Sequence, residues 1–450
     1  MRCIIKKLSL WCVTLSVCCL IHACNDDLNN DFDLEDNSSL YNVEPIPDSD
    51  QDILAYAVTQ RLANSLTVPE VRDFVKKEIV QQFDGDYDAL LMKIKDKKLT
   101  FNKNGRTSSV TFGEILNLNN VTTKNQRNQD TSLNIESTSP LLQISIPELQ
   151  GANADSWNTG NEVPLIAYVP EKIKNDIIPA YDTAGNYIPL SASTPPNRLV
   201  IVVSQNERVY ALENKLFDNN ARRECDMYQR MNPVLETERY RYVLTDDYYE
   251  AQNFCQPISS KPPTGGGGGN SNSNCDRDRK NGKDQLVKMK FRNLTAFRNA
   301  REGWYDNRME IRCYIFLSDK DGNLSTLVKP LTRRESKFKD CGLFSGCKAT
   351  WVDMSTEIVT WDKAEYGNRM KYMWIEHDGK GNTINSEISL NTKFTDEDTK
   401  RETNITSKTT LTYNSDDYLL GDSMVEYCDN TDGEGYQYST PDIFFYVNQK

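Results

Sequence analysis

The sequence predicts a multidomain α+β protein with a small N-terminal helical domain, a β-rich middle unit and a C-terminal antiparallel β-sandwich. Three observations predict it. Apolar residues recur at helical spacing from Ile53 to Ile94. From Leu142-Gln143-Ile144-Ser145-Ile146 onward the period drops to two. Beyond a Gly/Asn/Ser stretch at 261–274, alternating segments separated by Asp/Gly/Asn turns run to the end of the chain. With 450 residues, 26% of them charged and 10% aromatic, the chain has the composition of folded domains and the length for more than one core.

The N-terminus comes first. Arg2, Lys6 and Lys7 precede an apolar run from Leu8 to Leu20, and Ile21-His22-Ala23-Cys24 closes it. A basic start, a short apolar core and a small residue before a cut form a secretory signal, here residues 1–23. The run is about 13 residues against the ~20 of a spanning helix, so it reads as an export signal. The cut site resembles the lipobox of bacterial lipoproteins, which implies that Cys24 becomes the lipidated, palmitate-bearing first residue. Ile21 and His22 depart from the usual leucine and small residue. Asn25-Asp26-Asp27 resembles the acidic signal that sends lipoproteins of Bacteroidota to the outer face of the outer membrane. Residues 25–52 carry ten acids and no Lys or Arg, a self-repelling composition expected to form a tether from 24 to 52.

A helical domain is expected over 53–120. Ile53, Leu54, Ala57, Val58 and Leu62 share one stripe. Thr67-Val68-Pro69-Glu70 reads as a capping box opening a helix lined by Val71, Phe74, Val75 and Ile79. A third helix is expected to carry Tyr87, Leu90, Leu91 and Ile94, and a fourth to start near Thr111. Residues 119–138 read as a loop.

The middle unit spans 139–255. Its strands include Val163–Val169, a hairpin around Asp182-Thr183-Ala184-Gly185-Asn186, and Leu199–Val203, an apolar run expected to be buried on both faces. Tyr240, Tyr242, Tyr248 and Tyr249 are expected to pack a loop against a sheet. Residues 256–284 read as a linker, and 285–450 as the sandwich, with turns at Asp319–Asn323, Asp378–Asn382 and Asp432–Gly435.

Loss of residues 1–23 would take the formal charge from −12 to −15, because Arg2, Lys6 and Lys7 leave with no acid. So acidic a chain is not expected to bind nucleic acid. The one basic patch, Lys288, Lys290, Arg292, Arg298 and Arg301, reads as a solvated face. Seven cysteines follow Cys24. In an exported protein they read as disulfides, with Cys341–Cys347 and Cys255–Cys275 as expected pairs and Cys313 as the buried leftover thiol. Zinc is not expected: no Cys-x-x-Cys occurs, and His377 is the one histidine after the signal.

Catalytic signatures are scarce. There is no Gly-x-Ser-x-Gly elbow, and Gly265–Gly269 is not followed by Lys-Ser/Thr. Asp84-Gly85-Asp86-Tyr87-Asp88 imitates the start of a calcium loop but has Ala89 at the glycine position and Lys95 at the glutamate position. Asp182-Thr183-Ala184 and Asp422-Ser423-Met424 match the O-glycosylation pattern of Bacteroidota.

Two further resemblances follow from motifs. Residues 53–97, with Val71-Arg72-Asp73-Phe74 and Phe83–Asp88, and then Glu162–Leu165 and Pro179–Asp182, resemble uncharacterised surface lipoproteins of Bacteroidota. Trp374–Asp378 and Asp416–Gly421 resemble a synaptotagmin-type calcium/lipid-binding β-sandwich. That resemblance directs attention to three acidic turns, Asp319 with Asp321, Glu376 with Asp378, and Asp416 with Asp417, as a calcium site if they converge. The resulting expectation is a surface-exposed, outer-membrane-anchored lipoprotein that binds or scaffolds a protein or glycan without catalysis and requires no cofactor. A carboxylate-dependent surface hydrolase and a calcium-dependent adhesion module are the alternatives.

Overall fold

The computed structural model describes residues 44–103, 106–119, 121–124, 130–149, 152–214, 231–255, 277, 282–301, 303–306, 308–342, 346–378, 381–396, 399–429 and 436–450. Cys24, most of the tether, Cys275 and the side chain of Cys255 lie outside them. The chain is mostly β, in several sheets with a few helices, and 46–450 forms one compact unit.

Helix α1 (Asp50–Ser65) begins inside the stretch read as tether, because Ser49 caps it by accepting from Asp52 N–H. Asp52 then reaches across to accept from Glu171 N–H at 2.9 Å. Helix α2 (Pro69–Ile79) starts where expected, but the capping box does not form. Val68 occupies the cap position, Thr67 Oγ1 donates back to Asn64 O, and Pro69 starts the first turn. The box forms instead at Thr111 and Glu114, on the short helix Phe112–Leu116. The expected third helix is shorter than its apolar spacing suggested. Asp88–Leu90 is a strand, β1, and only Leu91–Ile94 is helical.

With β2 (Leu142–Ser145), β3 (Leu165–Tyr168), β4 (Ile177–Tyr181), β5 (Tyr187–Ser191) and β6 (Val200–Gln205), β1 builds a six-stranded sheet in the order β1-β2-β6-β3-β4-β5. The β6–β3 pair is parallel and the others are antiparallel. Strand β6 sits inside the sheet, and its apolar run is buried on both faces. Leu199, Ile201 and Val203 join Leu54, Val58, Leu62, Val71 and Val75 of the helices in one core. Val200 and Val202 face the other way, with Leu165, Ile178 and Trp304. The helices are thus one layer on the middle sheet and share its core. The 119–138 segment holds strands Val121–Lys124 and Asp130–Leu133 and a helical turn, Ile135–Thr138.

The C-terminal part is two packed four-stranded sheets. Strands β7 (Gly282–Phe291), β10 (Val352–Trp361), β15 (Tyr436–Ser439) and β16 (Ile443–Gln449) form one, in the order β10-β7-β16-β15. Strands β8 (Arg308–Ser318), β9 (Leu324–Arg334), β11 (Arg369–Glu376) and β14 (Tyr418–Glu426) form the other, in the order β9-β8-β11-β14. Their inner faces meet in a core that includes Phe291, Ile311, Ile315, Trp361, Tyr372, Trp374, Phe445 and the free thiol of Cys313. A long hairpin, β12 (Thr383–Thr395) with β13 (Glu402–Asn414), lays Ile388 and Leu411 against Phe316 and Ile375 on the outer face of the second sheet. Helix α3 (Thr245–Cys255) adds Tyr249 to the same cluster, so the tyrosine-rich stretch does pack against sheets. The Cys341–Cys347 disulfide closes an exposed two-stranded hairpin, and Cys428 is disulfide-bonded as well.

Candidate functional site

The three acidic turns do not converge. Asp319 sits just past the end of β8, whereas Glu376 pairs opposite Ile311 near the start of that strand. Eight residues at about 3.3 Å each put the two turns ~26 Å apart. The 376–378 and 416–417 turns do adjoin, and the carboxylates of Asp319 and Asp417 are taken by nearby N–H groups. Asp319 Oδ1 accepts from the N–H groups of Asp321 and Asn323 at 2.9 and 2.8 Å, and Oδ2 from Asn323 Nδ2 at 2.8 Å. Asp417 Oδ1 accepts from Asp378 N–H at 3.0 Å, and its Oδ2 from Asn414 N–H at 2.8 Å. Asp416 is exposed and accepts from the neighbouring Ser415 hydroxyl. His377 Nδ1 lies 2.9 Å from Asp417 Oδ1, and burial pulls its pKa down against that carboxylate's attraction. Among the described residues no group of three or more His, Cys, Asp or Glu is placed to hold a metal ion. The six acids proposed for calcium are thus not gathered into one site, and the Asp319 and Asp417 carboxylates accept from backbone N–H groups, as turn aspartates do.

The carboxylates that do gather include those of the stretch that imitates a calcium loop. Asp84, Asp86 and Asp88 line a cavity of about 60 Å³ with Gln143, Asn206, Glu207, Arg208, Asp306 and Glu310. The loop around Gly85 presents them at the edge of the six-stranded sheet, and Glu310 comes from the start of β8. Two arginines stand among the acids. Arg208 donates to Asp84 O and lies 3.6 Å from both Asp84 Oδ1 and Asp86 Oδ2. Arg308 bonds Asp86 through Nε and Gly85 O through Nη2. Gly85 is required here: its φ is +97°, and a Cβ would approach Arg308 Nη2 to 2.8 Å.

Electrostatics differ sharply among these acids. Burial, then the neighbouring carboxylates of Asp84 and Asp86, push Asp88 well above the usual range. Burial also raises Asp86, against the pull of Arg308. Glu310 is driven well up by burial and Asp306, and Glu376 by burial, Asp378 and Glu310. Asp88 Oδ1 is enclosed without a hydrogen-bond donor, and Oδ2 accepts from Asn206 Nδ2 at 3.3 Å. Carboxylates this close disfavour ionisation of all of them at once, as in paired acids.

Chemically, a proton-bearing carboxyl beside ionised ones can act as a general acid. The space argues otherwise. Small-molecule sites run to roughly 300–1,000 Å³, so a cavity of about 60 Å³ takes a few waters and no sugar ring or peptide unit. The cluster instead fastens the two parts of the fold, together with Trp304 Nε1 donating to Ser191 O at 2.7 Å and the Arg334–Glu148 ion pair. Nothing local in the sequence signals this, since Arg308 and Glu310 lie more than 200 residues from Asp84. Among the described residues no helix is long and apolar enough to cross a membrane. No protein-family model, curated protein or solved structure matches the chain.

Proposed function

We propose that the protein is a lipid-anchored, surface-exposed outer-membrane lipoprotein that binds or scaffolds a ligand without chemical turnover. One observation carries the non-catalytic part. Of the acids that gather, Asp84 and Asp86 are paired with Arg208 and Arg308 of the same chain, around a space of about 60 Å³, small for a polymer substrate. The anchoring part rests on Cys24 and the acidic residues after it. A single acyl chain holds a protein only marginally, so several on Cys24 would be needed for a stable anchor.

The test has two arms. Cys24→Ser should release the protein from the membrane fraction, and retention there would refute the anchor. Protease added to whole cells should shave the wild type, and full protection would place it on the periplasmic side. Incubation with polysaccharide and peptide libraries should release no product. Turnover that is lost in Asp88→Asn would replace this reading with a carboxylate hydrolase.

A further inference from the structure

We propose that the outer face of the sheet β10-β7-β16-β15 is a binding surface for a linear anionic polysaccharide, an inference that rests on the non-catalytic binding reading above. The sequence marked Lys288, Lys290 and Arg292 as a solvated basic face; the structure shows what lies beneath them. Along β7, Leu286, Met289 and Phe291 point into the sandwich, and a bulge between Leu286 and Lys288 sets the following cations outward. Along β16, Ile443, Phe445 and Val447 point in, leaving Phe444 and Tyr446 outside.

The register interleaves these side chains. Lys288 is opposite Tyr446, and Lys290 is opposite Phe444. Lys288 Nζ stands 4.6 Å from the Tyr446 ring centre and 5.3 Å from that of Trp351. Lys290 Nζ is 5.2 Å from the Trp351 centre and 5.8 Å from the Phe444 centre. Arg292 Cζ lies 4.5 Å over Phe444 while its Nη2 donates to Thr440 O. Trp351 and Tyr446 meet edge to face at 5.1 Å. The rings hold the three cationic heads in place, so part of the ordering cost of binding is already met before a ligand arrives.

Charge complementarity selects the partner. None of the three cations forms an ion pair among the described residues. Exposed Asp353 faces Lys288 across the strands, and Glu357 is taken by Lys283 at 2.8 Å. On a chain of formal charge −12 this leaves a local row of positive charge. Alternate residues on a strand recur every ~6.6 Å, so Lys288 to Arg292 spans about 13 Å in a straight line. A row suits anions repeated along an extended polymer, whereas a single phosphate would call for converging donors. Nucleic acid strands stack bases on free ring faces, whereas each of these rings already has a cation within 4.5–5.3 Å of its centre. A chain of uronate sugars carries one carboxylate per ring along an extended backbone, a repeated negative charge that a row of cations can meet.

The experiment uses the full chain in detergent with polygalacturonate, a neutral galactan and a single-stranded oligonucleotide, titrated at low and moderate salt. Polygalacturonate should bind, more weakly as salt rises. The triple variant Lys288→Gln/Lys290→Gln/Arg292→Gln should weaken it on the order of tenfold or more, and Lys283→Gln should change it little. Trp351→Ala removes a ring and no charge, and should weaken binding roughly two- to fivefold. It keeps the test valid should the triple variant not fold. Failure of wild type to bind polygalacturonate, equal affinity for the galactan, tighter binding of the oligonucleotide, or indifference to both variants would each overturn the proposal. Release of cleaved product would instead sink the non-catalytic reading.

Discussion

Arg277 offers the sharpest test of how the sandwich is held. Its guanidinium is fully buried, ion-paired with Asp284, and donates to Tyr427 O at 2.8 Å. It also stacks 4.4 Å from the Tyr427 ring centre and 5.1 Å from that of Trp361. Tyr372 hydroxyl donates to the other Asp284 oxygen at 2.5 Å. Arg277→Leu removes one partner and leaves a buried carboxylate alone, which costs about 3–5 kcal/mol. Adding Asp284→Asn removes the stranded charge, so the double variant should recover about half of that loss or more. The pH dependence has a definite sign. Burial already raises Asp284 although Arg277 opposes it, and without Arg277 the rise is larger. A carboxyl with a raised folded pKa favours the folded state most below its unfolded value near 4, and stability is lost as pH climbs toward the folded value. Arg277→Leu should therefore cost least near pH 4 and progressively more toward pH 8. Urea unfolding followed by tryptophan fluorescence measures this, since Trp361 and Trp374 lie in the same core. A loss under about 1 kcal/mol, unchanged between these pH values, would refute a buried, charge-bearing role.

The remaining predictions are smaller. Glu376→Gln keeps an acceptor for Glu310 N–H and removes an acid that burial, Asp378 and Glu310 push well up. The wild type loses stability as pH rises above ~4.3 through this group, so the variant should gain melting temperature relative to it between pH 5 and 8; a lower melting temperature throughout would contradict the assignment. Cys341→Ser/Cys347→Ser should cost roughly 2 kcal/mol or less, as the loop closed is short and the hairpin exposed, which calorimetry would show. Cys313 should resist alkylation in the folded protein, because burial pushes its thiol well up, and labelling at the rate of the unfolded chain would disprove its enclosure.

Elements whose signal is local were legible in the sequence. Asp182–Asn186 and Asp319–Asn323 share the pattern Asp-x-x-Gly-Asn and fold alike. In both, the aspartate accepts from the N–H two and four residues on and from the asparagine amide, with a left-handed glycine between. The continuous apolar run 199–203 announced a strand covered on both faces, and Cys313 announced its burial by alternation. What failed depended on distant partners. Arg277 lies in a stretch that reads as linker, and only Asp284, Trp361 and Tyr427 make it core. Asp52 reads as tether, yet Glu171 N–H draws it in; its burial raises the pKa to about 6. The 53–94 helices show one apolar stripe but not the sheet that covers it. The outward Phe444 and Tyr446 were visible as an aromatic strand, while their pairing with Lys288 and Lys290 required the register of β7 and β16.

The fold handles acids in two ways, at the turns of the sandwich and at the Asp84–Glu310 cluster. At the turns, Asp319 accepts from N–H groups two and four residues on, and Asp417 from those of Asn414 and Asp378. At the contact between the α/β part and the sandwich, Asp84, Asp86, Asp88 and Glu310 come together from sequence positions more than 200 apart. Repulsion there must be relieved by a cation or a proton. A calcium ion would make the contact depend on free calcium by mass action. Arg208 and Arg308 are covalently part of the chain, so the neutralising charge they bring is present at any ion concentration. A contact neutralised in this way does not depend on free metal ions to hold the α/β part against the sandwich.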